Sequence, residues 1–244
     1  MITVGVDGCR GGWFAVALRG GVATFELFPD IQSLWQAHRN ARRILIDIPI
    51  GLPANGPRTC DIEARRLLPP PRRSSVFPVP CREAVHATDY RTACDLNERR
   101  LGKRLTKQTW NICPKIAEVD DFLRGHKTAR HRLREAHPEL CFQGLAGRPL
   151  AYRKNAREGS AERLAILGQW IAGAADILQA ALGRYPRSRL AVDDVLDALV
   201  LAVTAGLPAR QLGRVPKPME YDASGLPMAI AFAASCQRRE PVVC

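Results

Sequence analysis

The chain has 244 residues, enough for one elaborated domain or two small ones, and its hydrophobic fraction of 46% supports an ordinary core. A net charge of +12 and a pI of about 9.8 favour anionic partners, nucleic acid first, although a basic protein without such a partner has the same composition. No apolar run approaches the roughly 20 residues of a membrane span, and no secretory leader opens the chain, so we expect a cytoplasmic protein.

The first 50 residues predict a small sheet. Glycine turns separate three short segments rich in β-branched and aromatic residues, and Asp30 is placed to cap a helix from Ile31 to about Asn40. The next segment, Arg43–Ile48, is apolar except for Asp47, which is typical of a central strand buried on both faces. The first three predicted strands are Ile2–Val6, Trp13–Leu18 and Val22–Phe28.

Residues 53 to about 125 change character and predict a basic, Pro-rich, partly helical insertion within one domain that spans residues 1–244. Short helices are expected at 59–68 and 83–101, and Pro114 is placed to open another that runs to about Leu123. We expect the insertion to cover the site described below. Its arginines can equally form a solvated face.

The second half of the chain predicts a further strand, two helices and a last strand. Arg132–Cys141 is interpreted as the strand, and Ser160 as the cap of a long amphipathic helix that ends near Leu182 before Gly183. A final helix is expected from Asp193 to Ala205, and Pro227–Ala233 as the last strand.

The eight cysteines predict neither a zinc site nor disulfides. None forms a C-x-x-C pair, and without a leader reduced thiols are the expected state. Cys9 is interpreted as a small turn residue rather than a nucleophile, because no histidine lies near it in sequence.

Two aspartates interrupt strands in which Asp is disfavoured. Asp7 follows Val4-Gly5-Val6, and because Gly11-Gly12 already supplies a turn, Asp7 is expected in the strand or at its end. Asp47 lies between Ile46 and Ile48, where an ionised carboxylate needs a metal, an arginine or several hydrogen-bond donors. We expect both at the same edge of the sheet. The alternatives are a simple turn for Asp7 and a salt bridge to the insertion for Asp47.

Two further aspartates share a face of the last helix, because they are three residues apart. Asp193 is the better N-cap, and the helix dipole alone can account for Asp194. It accounts less well for Asp197, since the neighbouring apolar residues mark that stretch as buried. Glu135 and His137 are expected on one side of their strand, either as site residues or as local hydrogen-bond anchors.

These sequence motifs together resemble the family called domain of unknown function 429, which belongs to the ribonuclease-H-like superfamily. The last acidic motif also resembles the last acidic motif of RuvC-type resolvases. The matching stretches are VGVDGCRGGW (4–13), IDIPIGL (46–52), RSSVFPVP (73–80), NICPKIAEVD (111–120), EAHPELCF (135–142) and DDVLDA (193–198).

The resemblance implies a ribonuclease-H-like mixed sheet, with three antiparallel strands followed by parallel ones, and a metal-dependent nuclease. It places Asp7, Asp47 and Asp194 or Asp197 at a site for Mg²⁺ or Mn²⁺, where two ions hydrolyse a phosphodiester. RuvC-type enzymes have a glutamate as the second acid, so Glu135 is an alternative to Asp47 in that role.

We expect basic residues of the insertion to hold the phosphate backbone of DNA or RNA at the rim of the acidic site. The alternative functions are a non-catalytic nucleic-acid-binding protein with the same fold and, less favoured because the chain is short, a nucleotide-binding ATPase of the actin and sugar-kinase type. The expected phosphate-binding residues are Arg58, Arg72, Arg73, Arg82 and Lys107.

Overall fold

The computed structural model describes residues 1–154 and 156–234. Its main sheet has five strands in the order β3-β2-β1-β4-β5. Strand β2 is antiparallel to both β1 and β3, whereas β4 is parallel to β1 and β5 is parallel to β4. The predicted mixed sheet is therefore confirmed. The strands are β1 (Ile2–Cys9), β2 (Gly12–Arg19), β3 (Val22–Phe28), β4 (Arg43–Ile46) and β5 (Leu133–Glu135).

Helices cover both faces of this sheet, as expected for parallel strands that are apolar on both sides. Two of the helices, α1 and α5, pack on the face formed by Val4, Val6 and Ile46, and α6 to α9 pack on the face formed by Val16 and Leu45. The helices are α1 (Ile31–His38), α2 (Thr59–Leu67), α3 (Arg82–Val85), α4 (Tyr90–Leu101), α5 (Lys107–Gly125), α6 (Pro138–Ala146), α7 (Arg157–Gly168), α8 (Ala174–Arg184) and α9 (Val192–Gly206).

A second sheet of two antiparallel strands, β6 (Leu212–Tyr221) and β7 (Pro227–Ala233), lies beside β5. A single bridge between Ala136 and Ala231 connects it to the main sheet. The strand predicted at Pro227–Ala233 is therefore confirmed. Its partner β6 was not predicted, because its exposure does not alternate regularly and two prolines interrupt the strand pattern there.

Helix α1 is confirmed, with the carboxylate of Asp30 accepting a hydrogen bond from the Ser33 amide at 2.7 Å. The helices expected at 59–68 and 83–101 are found as α2 and as the pair α3 and α4. The prediction for Pro114 is wrong, because α5 begins seven residues earlier, where the Thr106 hydroxyl caps the amide of Thr109. Burial of Cys113 and Ile116 compensates for the backbone hydrogen bond that Pro114 cannot make.

Two other predictions are wrong for local reasons. The expected strand over Arg132–Cys141 ends at Glu135, because Pro138 occupies the first turn of α6, a position that proline favours. The expected long helix from Ser160 to Leu182 is two helices, with Gly173 in the left-handed conformation just before α8. Ser160 and Gly183 lie inside helices rather than at their ends.

Helix α9 lies unusually close to β1. A Cβ atom at Gly5 would be 2.1 Å from the Ala198 carbonyl oxygen and 2.1 Å from the Ala202 amide nitrogen. Only glycine on the strand, facing alanines on the helix, permits this approach. The approach brings the acidic first turns of α9 over the carboxyl end of β1.

Six cysteines in the described residues are free and buried, in line with reduced thiols, while Cys236 and Cys244 lie outside those residues. Among the described helices, none is both long enough and apolar enough to cross a membrane.

Because α9 and β1 are in such close contact, one methyl group added at Gly5 should strongly reduce the stability of the fold. Gly5→Ala should lower the free energy of unfolding by about 3 kcal/mol or more, because the new Cβ overlaps backbone atoms that cannot rotate away. Gly168→Ala is the matched control, since its Cβ would meet nothing within 4 Å and alanine favours a helix. Urea denaturation of both variants measures the difference. Equal stability of the two would contradict the close packing.

Candidate functional site

Asp7 and Asp47 lie side by side at the carboxyl ends of β1 and β4. Val6 pairs with Ile46, and the amide of Asp47 donates a hydrogen bond to the Val6 carbonyl at 3.0 Å, so the two acids occupy the next position in the parallel register. Side chains alternate along a strand, so Asp7 faces the same side as Gly5. Both acids therefore face α9.

Helix α9 supplies two acids to this side of the sheet. Asp197 is 5% exposed in an otherwise apolar stretch, and Asp194 is half-buried. Asp193 is not the N-cap, contrary to prediction. Ala191 occupies that position, and the Asp194 carboxylate accepts its amide hydrogen bond at 2.7 Å. Capping thus accounts for Asp194 but not for Asp197.

Burial raises the pKa values of the carboxyl groups in this cluster, and repulsion between carboxylates adds to the effect at Asp7 and Asp197. Burial raises the pKa of Asp7 well above its usual range, and repulsion from Asp47 and Asp197, with a smaller contribution from Asp194, adds to it. Burial raises the pKa of Asp47 to about 6. Burial, together with repulsion from Asp47, raises the pKa of Asp197 to about 7. The cluster therefore destabilises its own charged form.

The side chain of Lys154 forms ion pairs with this cluster. The Lys154 ammonium lies 3.4 Å from an Asp193 carboxylate oxygen and 3.5 Å from one of Asp197. Burial opposes the charge of Lys154, but attraction to the carboxylates outweighs it and raises the pKa of the lysine. The same attraction lowers the pKa of Asp47 and Asp197 only in part, since both remain raised.

Hydrogen-bond donors do not compensate the two strand acids. Within residues 1–154 and 156–234, neither the Asp7 nor the Asp47 carboxylate accepts a hydrogen bond from the protein. The cluster is also open, because among those residues no three of its ligand oxygens lie within 4.8 Å of one another. The acids are nevertheless close enough to repel one another.

A cleft of about 640 Å³ opens beside these acids. Asp47, Asp197 and Lys154 lie along its wall, and Phe77 and Ile112 give it an apolar side. His137 also lines the cleft, and its buried Nδ1 has no hydrogen-bond partner within the part of the chain that the structure describes. Burial lowers the pKa of His137, which favours its neutral ring.

The structure does not bring Glu135 to the acid cluster. Its carboxylate accepts hydrogen bonds from both terminal nitrogens of Arg58, at 2.8 and 2.7 Å, and from the Ile50 amide at 2.8 Å. Arg58 is 2% exposed and also pairs with Asp61 at 2.6 Å. The expectation that Arg58 binds phosphate is therefore corrected: its guanidinium neutralises two buried acids and cannot reach a substrate.

Of the other predicted phosphate-binding residues, only Arg73 lines the cleft. Arg72 pairs with Glu139 at 3.3 Å and also bonds to the Tyr152 carbonyl. Arg82 is held by Asp120 and Asp222. Lys107 lies 3.5 Å from the centre of the Tyr90 ring.

Sequence reasoning passed over two cations of the cleft, Lys154 and Arg65. Neither carries a local signal. Lys154 belongs to the segment between α6 and α7, and Arg65 is one of many basic residues in the insertion, oriented by a 2.7 Å hydrogen bond from its Nε to the Val76 carbonyl. Spacing in the sequence cannot distinguish them from solvated side chains.

Away from the acid cluster, His86, Asp120 and Asp121 do bring three ligand atoms within 4.8 Å of one another. Arg82 already donates two hydrogen bonds of 3.0 Å to the buried Asp120, and Arg124 lies 3.8 Å from it. Two guanidinium groups so close to the same carboxylate disfavour a metal ion, and we assign none to this group.

The family described as "Protein of unknown function (DUF429)" matches residues 5–220, and the chain belongs to it. No curated protein and no solved structure matches the chain. The matched range includes every acid of the cluster, the cleft and Lys154.

The raised pKa values predict how stability depends on pH without divalent metal. A carboxyl group whose folded-state pKa is raised binds protons more tightly when folded, so its contribution to stability is lost as the pH rises through about 6 for Asp47 and about 7 for Asp197. In EDTA, the free energy of unfolding should fall by on the order of 3 kcal/mol between about pH 5 and pH 8. Urea denaturation measures it, and Asp197→Asn should flatten the dependence. A wild-type profile identical to that of Asp197→Asn would show that the acids do not interact.

Proposed function

We propose that this member of the DUF429 family is a metal-dependent phosphodiester hydrolase that acts on nucleic acid through a ribonuclease-H-like core. The observation that carries the proposal is the placement of Asp7, Asp47 and Asp197 on one side of the sheet, where burial raises all three pKa values and repulsion raises those of Asp7 and Asp197 further. Such a group is stable in its charged form only when a cation joins it.

The sheet supports the ribonuclease-H-like assignment. Three antiparallel strands precede two parallel ones, and the first acid lies on the first strand, next to the acid that follows the first parallel strand. A late helix adds Asp197 over them. This is the order of acids expected for that superfamily.

The donor set fits a hard divalent cation. The available atoms are carboxylate oxygens, which suit Mg²⁺ or Mn²⁺ better than zinc; Lys154 donates to one oxygen of Asp197, and the Ala191 amide donates to one oxygen of Asp194. Asp7, Asp47 and Asp197 would hold the ion, and Asp194 would contribute with the oxygen not used for capping. Bound there, the ion would lower the pKa of a water and stabilise the leaving oxygen of the phosphodiester.

The chain's own residues would bind and orient the substrate. Arg73, Arg65 and Lys154 line the cleft and can attract the phosphate that the carboxylates repel. Phe77 and Ile112 can contact a base or sugar, and His137 can donate to or accept from a phosphate oxygen or a water. These roles need no change in backbone.

Lys154 favours a second candidate, a non-catalytic nucleic-acid-binding protein with the same fold. Its ammonium lies among the carboxylates that the metal requires, 3.5 Å from Asp197, and partly neutralises them. A cation site would form only after this lysine moves toward the substrate. Because half of the side chain is exposed, the lysine can make that movement. The two candidates differ in whether metal binds and whether cleavage follows.

Metal binding should stabilise the protein, and Asp47→Asn should remove the effect. At a concentration about 100-fold above the dissociation constant, Mg²⁺ or Mn²⁺ should raise the melting temperature by roughly 5–10 °C through mass action on the folded state. The matched control is Asp176→Asn, an exposed acid on α8 that should respond like wild type. Differential scanning fluorimetry after EDTA treatment measures all three proteins.

The same proteins are then incubated with labelled single-stranded and duplex oligonucleotides and Mn²⁺. Cleavage by wild type and Asp176→Asn, with none by Asp47→Asn, is the expected result. A metal response without cleavage would favour the non-catalytic candidate. An equal metal response in wild type and Asp47→Asn would exclude the acid cluster as a metal site.

A further inference from the structure

A second pocket, with a volume of about 320 Å³, lies between the edge strand β5 and the hairpin of β6 and β7. Four basic residues come from the basic run 127–134, which forms the turn and short 3-10 helix before β5 and the start of β5 itself. The fold adds Arg214 from the distant strand β6. The basic residues are Lys127, Arg130, His131, Arg134 and Arg214.

No acid neutralises these cations. Within the described parts of the chain, Lys127, Arg130, Arg134 and Arg214 make no salt bridge. Glu135 lines the pocket, but Arg58 already holds its carboxylate at 2.7 Å. Converging positive charges repel one another, and an anion in the pocket would relieve that repulsion.

One of the arginines is fixed in place by the backbone. Arg130 donates from Nε to the Leu123 carbonyl at 2.7 Å and from Nη2 to the Arg124 carbonyl at 2.8 Å. These neutral acceptors orient the guanidinium without cancelling its charge. Arginine is the side chain best suited to bind phosphate through two parallel hydrogen bonds, so the charge and geometry of the pocket favour a phosphate group.

The pocket also has apolar lining residues, including an aromatic ring. Tyr221 is 57% exposed, and Met219 and Pro227 lie beside it. Among the described residues, no other aromatic ring stacks on Tyr221. An open ring beside a phosphate-binding wall is the combination that holds one nucleotide of a single strand, because only an unpaired base offers a free face for stacking.

The pocket is separate from the acid cleft but adjacent to it. Glu135 lines the pocket and also a cavity of about 90 Å³ that Asp47 and His137 line. The buried pair of Arg58 and Glu135 thus divides the two sites. We propose that the basic pocket binds a nucleotide of a single-stranded nucleic acid, with its phosphate on Arg134 and Arg214 and its base on Tyr221. This binding requires neither metal nor cleavage.

The test is fluorescence anisotropy in EDTA with labelled single-stranded DNA and RNA of about ten nucleotides. Arg134→Gln/Arg214→Gln should weaken binding about tenfold or more and reduce the salt slope by roughly 0.7 for each lost phosphate contact. The control, Arg19→Gln/Arg187→Gln, removes the same charge from exposed sites elsewhere and should bind like wild type. Melting temperatures verify that both double variants fold.

The aromatic wall has its own control. Tyr221→Ala should weaken binding roughly fivefold or more, whereas Tyr221→Phe, which keeps the ring, should retain it. A nucleoside monophosphate should compete better than inorganic phosphate.

Three results would overturn the proposal. The first is equal loss of affinity in both double variants, which would indicate general charge attraction. The second is duplex binding as tight as that of the single strand and equally sensitive to the Arg134 and Arg214 changes. The third is loss of binding to anionic vesicles, but not to oligonucleotides, in the Arg134→Gln/Arg214→Gln variant. Because EDTA removes divalent metal, failure here is distinguishable from failure of the hydrolase.

Discussion

The close contact between α9 and β1 determines most of the chemistry of this protein. Gly5 has no side chain, and Ala198 and Ala202 face it, so the helix lies almost against the strand. Two residues beyond Gly5, Asp7 faces the same side, and the helix carries Asp197 immediately before Ala198. A bulkier residue at Gly5 would separate the acids, so the same packing that stabilises the sheet also concentrates negative charge at its edge.

That concentration of charge is only partly compensated within the protein. Lys154 approaches Asp193 and Asp197, yet the pKa values of Asp47 and Asp197 remain raised to about 6 and 7. Burial also raises the pKa of the neighbouring acid Glu135, but both Glu135 and Asp61 are paired directly with the Arg58 guanidinium. Removing one member of such a buried pair costs about 3–5 kcal/mol, which identifies Arg58 as a structural residue. The contrast between paired and unpaired acids separates structural carboxylates from those available to a ligand.

The acidic residues of the candidate site could be predicted from the sequence more accurately than its basic residues. Asp7 and Asp47 interrupt β-branched strands and Asp197 interrupts an apolar helix, and each interruption is a local signal that can be detected in one sequence. Arginines give no such signal, because their long side chains can be solvated, paired or buried with little trace in neighbouring residues. Arg58 was therefore assigned to substrate, although tertiary packing places it in a buried ion pair, and Lys154 was passed over.

The same distinction applies to the fold. The first four strands, α1, α9 and the last strand follow from periodicity and capping residues, and the structure confirms them. The errors occur where a single residue determines whether a helix or strand begins, ends or continues. Pro138 opens a helix instead of ending a strand, Gly173 divides one predicted helix into two, and α5 continues through Pro114 because its apolar face is buried. Strand β6 depends on pairing with β7, a contact between distant segments that local patterns do not contain.

The central claim is that Asp7, Asp47 and Asp197 share a site that requires a cation. The most direct measurement is a carbon-13 NMR titration of the aspartate side-chain carboxyl groups, with and without Mg²⁺. Without metal, the account predicts that Asp47 and Asp197 titrate near pH 6 and 7, and that Mg²⁺ moves both midpoints to well below these values. Midpoints in the ordinary range for aspartate, unchanged by Mg²⁺, would contradict the account.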